Sequence, residues 1–82
     1  MRAIVVRSTG GPEVLQLESV SDPAPAPNEV VVEVVACGVC TLDVVTRRGT
    51  YRRHVELPLI PGHEIAGRVV ALGREVRRFR VG

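Results

Sequence analysis

A mainly β domain with one short helix is the fold class this sequence predicts, and three observations predict it. Valine dominates an apolar fraction of 45%, while aromatic residues make up only 2%. Such a core must be aliphatic, and β-branched side chains suit a pleated, half-buried surface better than a helix. Several runs alternate with period two, the clearest from Glu29 to Ala36, and Gly and Pro clusters break these runs at short intervals. The 82 residues are expected to form one domain at most, spanning 1–82 and incomplete at its C-terminal end. A chain this short hides only about 60–65% of its unfolded surface.

Residues 2–7 read as a first strand, closed by the turn cluster Ser8-Thr9-Gly10-Gly11-Pro12. From Val14 to Val20 the alternation places Leu15 and Leu17 inward on a second strand. Asp22-Pro23-Ala24-Pro25-Ala26-Pro27-Asn28 is extended, because each proline fixes its own φ and biases its predecessor away from the helical region. It is too short to separate two domains.

The third strand, Glu29 to Ala36, sets Val30, Val32 and Val34 on one face and leads directly into Cys37. After Cys40, Leu42, Val44 and Val45 form the apolar side of a helix running to about Arg48, with Gly49 as its stop. Residues 50–60 form a basic loop that closes on two prolines and a glycine before His63. Glu64 to Leu72 is the last strand, where Gly67 predicts a bulge or a close backbone approach. Gly73 turns the chain into the arginine-rich run 74–82.

All 11 basic residues are arginine. They are unevenly placed: residues 1–46 carry 2 Arg against 6 acids, and residues 47–82 carry 9 Arg against 3 acids. The basic half either faces an anionic ligand or is a solvated surface. Nucleic acid is disfavoured as a partner, since Tyr51 and Phe79 are the only aromatic residues and build no stacking platform. No run approaches membrane-spanning length, and no export signal opens the chain, so a reducing cytoplasm is expected for its two cysteines.

Two segments carry the chemistry: Cys37-Gly38-Val39-Cys40-Thr41-Leu42-Asp43 and Pro61-Gly62-His63-Glu64. A structural zinc knuckle needs a second cysteine pair, and none is present. A redox dithiol needs its first cysteine at a helix N-terminus in a βαβ setting, which a strand-rich chain does not offer. What survives is one ligand beside one packing cysteine, with Cys40 as the ligand because it lies past the Gly38 turn. His63 and Glu64 are adjacent, so both reach one metal only if the backbone bends there. His54 has no thiol or acid at ligand spacing and reads as structural.

Taken as a set, these segments resemble the zinc-dependent medium-chain dehydrogenase/reductase family, the alcohol dehydrogenase superfamily. The resemblance rests on Met1-Arg2-Ala3 with Gly11-Pro12-Glu13-Val14-Leu15, on Ala36-Cys37-Gly38-Val39-Cys40 with Asp43, and on Gly62-His63-Glu64 before Ile65-Ala66-Gly67. It covers essentially the whole chain. The fold it implies is the N-terminal part of a partly open, co-chaperonin-like (GroES-like) β-barrel with one short helix, whose open edge awaits a strand beyond Gly82.

The resemblance implies a catalytic centre of Cys40, His63, Glu64 and Asp43. Cys40 and His63 would be zinc ligands, Glu64 a carboxylate that ligates in some states, and Asp43 the partner that fixes the tautomer of His63. Thr41 would be a cofactor-binding position. A third ligand and the domain that binds NAD(P)H would lie beyond residue 82, and no GxGxxG-type turn is present within it.

The alcohol dehydrogenases of this family place a proton-relaying Ser or Thr two residues after the ligand cysteine, and many add a His three residues further on. Here those positions are Leu42 and Val45. The resemblance therefore leans toward members that reduce conjugated double bonds, such as quinone or acryloyl-CoA reductases, over alcohol oxidation. The expected partners are a small carbonyl, alcohol or enoyl substrate, the missing nucleotide-binding domain and, in a complete enzyme, further copies of the same chain. A non-enzymatic co-chaperonin-like assembly module and an inactive remnant are the competing readings, and the 82 residues by themselves are not expected to be an active dehydrogenase.

Overall fold

A computed structural model describes residues 1–82. The elements follow in the order β1 (Arg2–Val6), a 3-10 turn (Pro12–Val14), β2 (Leu15–Ser19), β3 (Val30–Gly38), α1 (Thr41–Arg48) and β4 (Glu64–Leu72). This is mainly β structure with one helix, and neither of its two sheets is closed: β1 pairs with β2, and β3 with β4. No helix is long and apolar enough to cross a membrane.

The chain divides into two compact units. The first comprises Met1–Ser21 and Gly38–Glu64. Within it β1 and β2 are antiparallel in the register Arg2↔Ser19 to Val6↔Leu15. Val20 N–H donates to the Met1 carbonyl at 2.8 Å, closing the open end of that ladder. Across the pair, Arg7 grips Glu18 with both Nε (2.9 Å) and Nη2 (2.6 Å). Val6 also exchanges hydrogen bonds with Leu59 at 2.8 and 2.9 Å, which ties the loop leading to His63 onto β1.

Val5 and Val6 are the only fully buried apolar side chains. Leu15 and Leu17, expected to point inward, are 41% and 61% exposed. Their alternation is real, but no layer of this chain covers that face of β2. Pro12 explains why β2 starts at Leu15 rather than Val14: its fixed φ seeds a 3-10 turn, and Val14 N–H then bonds to the Gly11 carbonyl at 3.1 Å.

The second unit comprises Asp22–Cys37 and Ile65–Gly82. Gly73 N–H donates to the Glu29 carbonyl at 2.7 Å, so the end of β4 meets the start of β3 and the two run in opposite directions. The proline-rich segment is anchored there, since the carbonyls of Ala26 and Pro27 accept from Glu29 and Glu75. Gly67 is the close approach that the sequence predicts: a Cβ there would collide with the Glu33 carbonyl oxygen. Val34 and Val35 are 52% and 71% exposed, so only the first half of β3 is sheltered.

Candidate metal centre

Helix α1 begins at Cys40, whose extended backbone (φ −126°, ψ 171°) makes it the N-cap. Gly38 is the last residue of β3 rather than a tight turn. Cys40 therefore owes its place to the helix start. The cap is reciprocal with Asp43, whose Oδ2 accepts the Cys40 backbone N–H at 3.0 Å while its own N–H bonds to the Cys40 carbonyl at 3.1 Å. Such a box satisfies donors that the first turn leaves unpaired. At the far end Gly49 takes the left-handed conformation (φ 80°). Its N–H then caps the Thr46 carbonyl at 3.2 Å.

The other oxygen of Asp43, Oδ1, lies 2.6 Å from Nδ1 of His63, twenty residues along the chain. The hydrogen bond from the Cys40 backbone, followed by that from His63, holds the Asp43 carboxyl below the usual aspartate range. Asp43 is thus an ionised acceptor for the Nδ1–H of His63, which leaves Nε2 as the ring nitrogen turned away from Asp43. The Asp43 side chain is 12% exposed and that of His63 44%.

One donor atom each from Cys40, Asp43 and His63 lies within 4.8 Å of the others. The cluster brings a thiol and an imidazole together, a donor set suited to zinc or another borderline-soft ion. Both Asp43 oxygens already accept a hydrogen bond, one from the cap and one from His63. Glu64 opens β4 and stands outside this cluster. Its carboxylate lies over Gly38, where Oε2 would be 2.5 Å from any added Cβ.

A family description, Alcohol dehydrogenase GroES-like domain, matches residues 26–82. The chain belongs to this family. As an alcohol dehydrogenase GroES-like domain it is 47% identical over 83 residues to the quinone oxidoreductase of Lama guanicoe, covering all of this chain and 25% of that protein. It is 42% identical to an alcohol dehydrogenase of Rhizobium meliloti, again over the whole chain and 24% of the relative. The solved structure of Escherichia coli quinone oxidoreductase complexed with NADPH superposes over the whole chain and 25% of its own, with a TM-score of 0.92 at 36% identity. The chain thus spans about a quarter of the length of the relatives it matches. It corresponds to the N-terminal, GroES-like domain of the medium-chain dehydrogenase/reductase superfamily.

Within this GroES-like domain, Thr41 is exposed at the first helical position, and Leu42 and Val45 are half-buried on α1. Two features escape sequence reasoning. One is the capping role of Asp43, although a carboxylate at the third helical position signals it. The other is Arg47, which belongs to the basic run yet is only 9% exposed. Its Nη1 donates to the Gly10 carbonyl at 2.8 Å, and its own carbonyl accepts from Gly10 N–H at 2.9 Å.

Proposed function

We propose that this domain is the metal-bearing catalytic part of a zinc-dependent, NAD(P)-linked oxidoreductase that acts on conjugated carbonyl compounds of the quinone or enoyl type. The observation that carries the reading is the Asp43–His63 contact at 2.6 Å beside Cys40. A carboxylate behind a histidine raises its basicity and fixes its tautomer, which is the support metal-bound imidazoles commonly have. Cys40 and His63 are the residues that would hold zinc, with Glu64 as a further carboxylate on the next strand. A zinc ion bound there supplies Lewis-acid polarisation of a substrate oxygen. The hydride would come from NAD(P)H held by a nucleotide-binding domain outside these residues.

The chain's own residues set the limits of that chemistry. The capping box fixes Cys40 at the helix start, and Asp43 keeps the proton of His63 on Nδ1, away from the metal side. Leu42 and Val45 carry no group that passes a proton, which favours reduction of a conjugated carbonyl over deprotonation of an alcohol. Thr41 would contact the cofactor. A cytoplasmic, homo-oligomeric enzyme is the setting we assign.

Cobalt titration of the 82-residue chain, read by thiolate-to-metal absorption, tests the metal assignment. Cys40→Ser and His63→Ala should each remove most of the affinity, and Cys37→Ser should leave it; an equal loss from Cys37→Ser overturns the ligand set. A chimera carrying residues 1–82 in place of the matching segment of the Escherichia coli relative should reduce quinones with NADPH and leave simple alcohols untouched. Alcohol oxidation by that chimera would reverse the substrate assignment.

A further inference from the structure

Behind the C-terminal half of α1 the first unit holds a cavity of about 210 Å³. Thr46 lines it, six residues after Cys40. At 1.5 Å per residue this sets the cavity roughly 9 Å along the helix from the metal cluster. Its polar lining is Thr9, Tyr51, Arg53 and His54, and its apolar lining is Val55 and Leu57. No carboxylate lines it.

The cavity opens to solvent: Thr9, Arg53 and His54 are exposed and Tyr51 is half-buried, and none of the four side chains makes a hydrogen bond or ion pair within the protein. All four offer donors, and Arg53 offers a planar fork matched to an oxyanion. Three of the last four carbonyls of α1 are already occupied, which reduces the negative field at that end of the helix. Thr50 N–H caps Val45 at 3.1 Å, Gly49 N–H caps Thr46 at 3.2 Å, and Gly10 N–H caps Arg47 at 2.9 Å. Arg47 and Arg48 supply compensating charge in the same turn.

We infer that this cavity binds a small organic oxyanion, a carboxylate or phosphate group attached to a short apolar body. Arg53, Tyr51, Thr9 and His54 take the charged end, and Val55 and Leu57 take the apolar end. The volume is below the roughly 300–1,000 Å³ of a pocket for a drug-sized ligand, so it fits a small acid or the anionic end of a longer molecule. The inference stands on unit-one residues alone and does not depend on a metal at Cys40 and His63.

Two-dimensional NMR of the nitrogen-15-labelled 82-residue chain tests it, by titration with butyrate and, separately, inorganic phosphate at ionic strength held constant with sodium chloride. Saturable shifts are expected at Thr9, Tyr51 and His54, with a dissociation constant of roughly a millimolar for so few contacts. Gly67 and Gly73 should stay still. Tighter butyrate binding identifies a carboxylic acid with an apolar body, and tighter phosphate binding a phosphorylated ligand. Arg53→Gln should weaken binding about tenfold through loss of charged hydrogen bonds, and Arg80→Gln, in the other unit, should not. If Arg53→Gln loses its folded spectrum, Tyr51→Phe and Thr9→Val provide the same reading through one hydroxyl each. Shifts that never saturate, or that are unchanged by Arg53→Gln or by both hydroxyl variants, overturn the site.

Discussion

Asp43 holds His63 with one carboxylate oxygen and caps the helix at Cys40 with the other. One side chain thus couples the position of the thiol to the tautomer of the imidazole. Asn in its place has a single carbonyl oxygen and turns an NH2 donor toward one of the two N–H groups, so one of the two hydrogen bonds is lost. Asp43→Asn is expected to lower metal affinity by about 10–100-fold, the usual cost of losing a metal-orienting partner. Cobalt titration measures the loss, and nitrogen-15 shifts of the His63 ring should show Nδ1 and Nε2 sharing the proton. Unchanged ring shifts would remove Asp43 from its orienting role.

Gly67 allows β3 and β4 to pair closely, with its Cα beside the Glu33 carbonyl oxygen. Gly67→Ala forces that carbonyl to move, and overpacking of this kind costs roughly 1–3 kcal/mol. Gly62→Ala has no steric neighbour within 4 Å but meets an unfavourable φ of 139°. Urea midpoints for the two variants separate the mechanisms. The Gly67 effect should be partly relieved by Val32→Ala, because the Val32 Cγ1 atom would lie 2.8 Å from the new methyl group. The Gly62 effect should be indifferent to it.

The alternating runs and their Gly and Pro stops made β3, β4 and α1 legible nearly to the residue, because local steric preferences decide where such elements begin and end. Gly49 as the helix stop and Gly67 as a close approach follow from the same reasoning. Burial was not legible: Leu17 and Val35 alternate as core residues do, yet stand open because period two names a face and not what covers it. The pairing of His63 with Asp43 follows only from the family resemblance, since a contact between residues 43 and 63 leaves no local pattern. Arg47 was hidden for the opposite reason, as a run of arginines gives no sign of which one folds back onto Gly10.

The Arg7–Glu18 pair should give the chain an acid-sensitive component of stability. The hydrogen bond from Arg7 lowers the Glu18 pKa, while the bond to Glu18 raises that of Arg7. A depressed carboxylate contributes fully above its unfolded value, about 4.3 for Glu, and loses that contribution as pH falls through the lower folded value. The arginine shift acts only at extreme alkaline pH. Because the pair is exposed, the effect is small and screened by salt. Thermal melts between pH 3 and pH 6 should show a shallower acid slope in Arg7→Gln than in the parent, and 1 M NaCl should narrow the difference. Identical slopes would show that the pair adds nothing to acid stability.

Arg47 is the buried cation on which the first unit depends. Its guanidinium reaches the Gly10 carbonyl, and its backbone carbonyl returns a bond from Gly10 N–H, so α1 is clamped to the turn after β1 at two points. Arg47→Ala leaves the backbone bond but orphans the Gly10 oxygen and opens space beside Thr46, the other buried polar residue. The loss of a charged hydrogen bond costs about 1.5–3 kcal/mol, a large part of the stability of a domain this small. Arg47→Lys keeps the charge and not the fork, so it should recover only part of the loss. Hydrogen exchange at the Gly10 amide is the direct readout: it should accelerate in Arg47→Ala well beyond the exchange of Val20, which closes the β1–β2 ladder from its other end. Equal acceleration at both amides would mean global unfolding rather than release of the clamp.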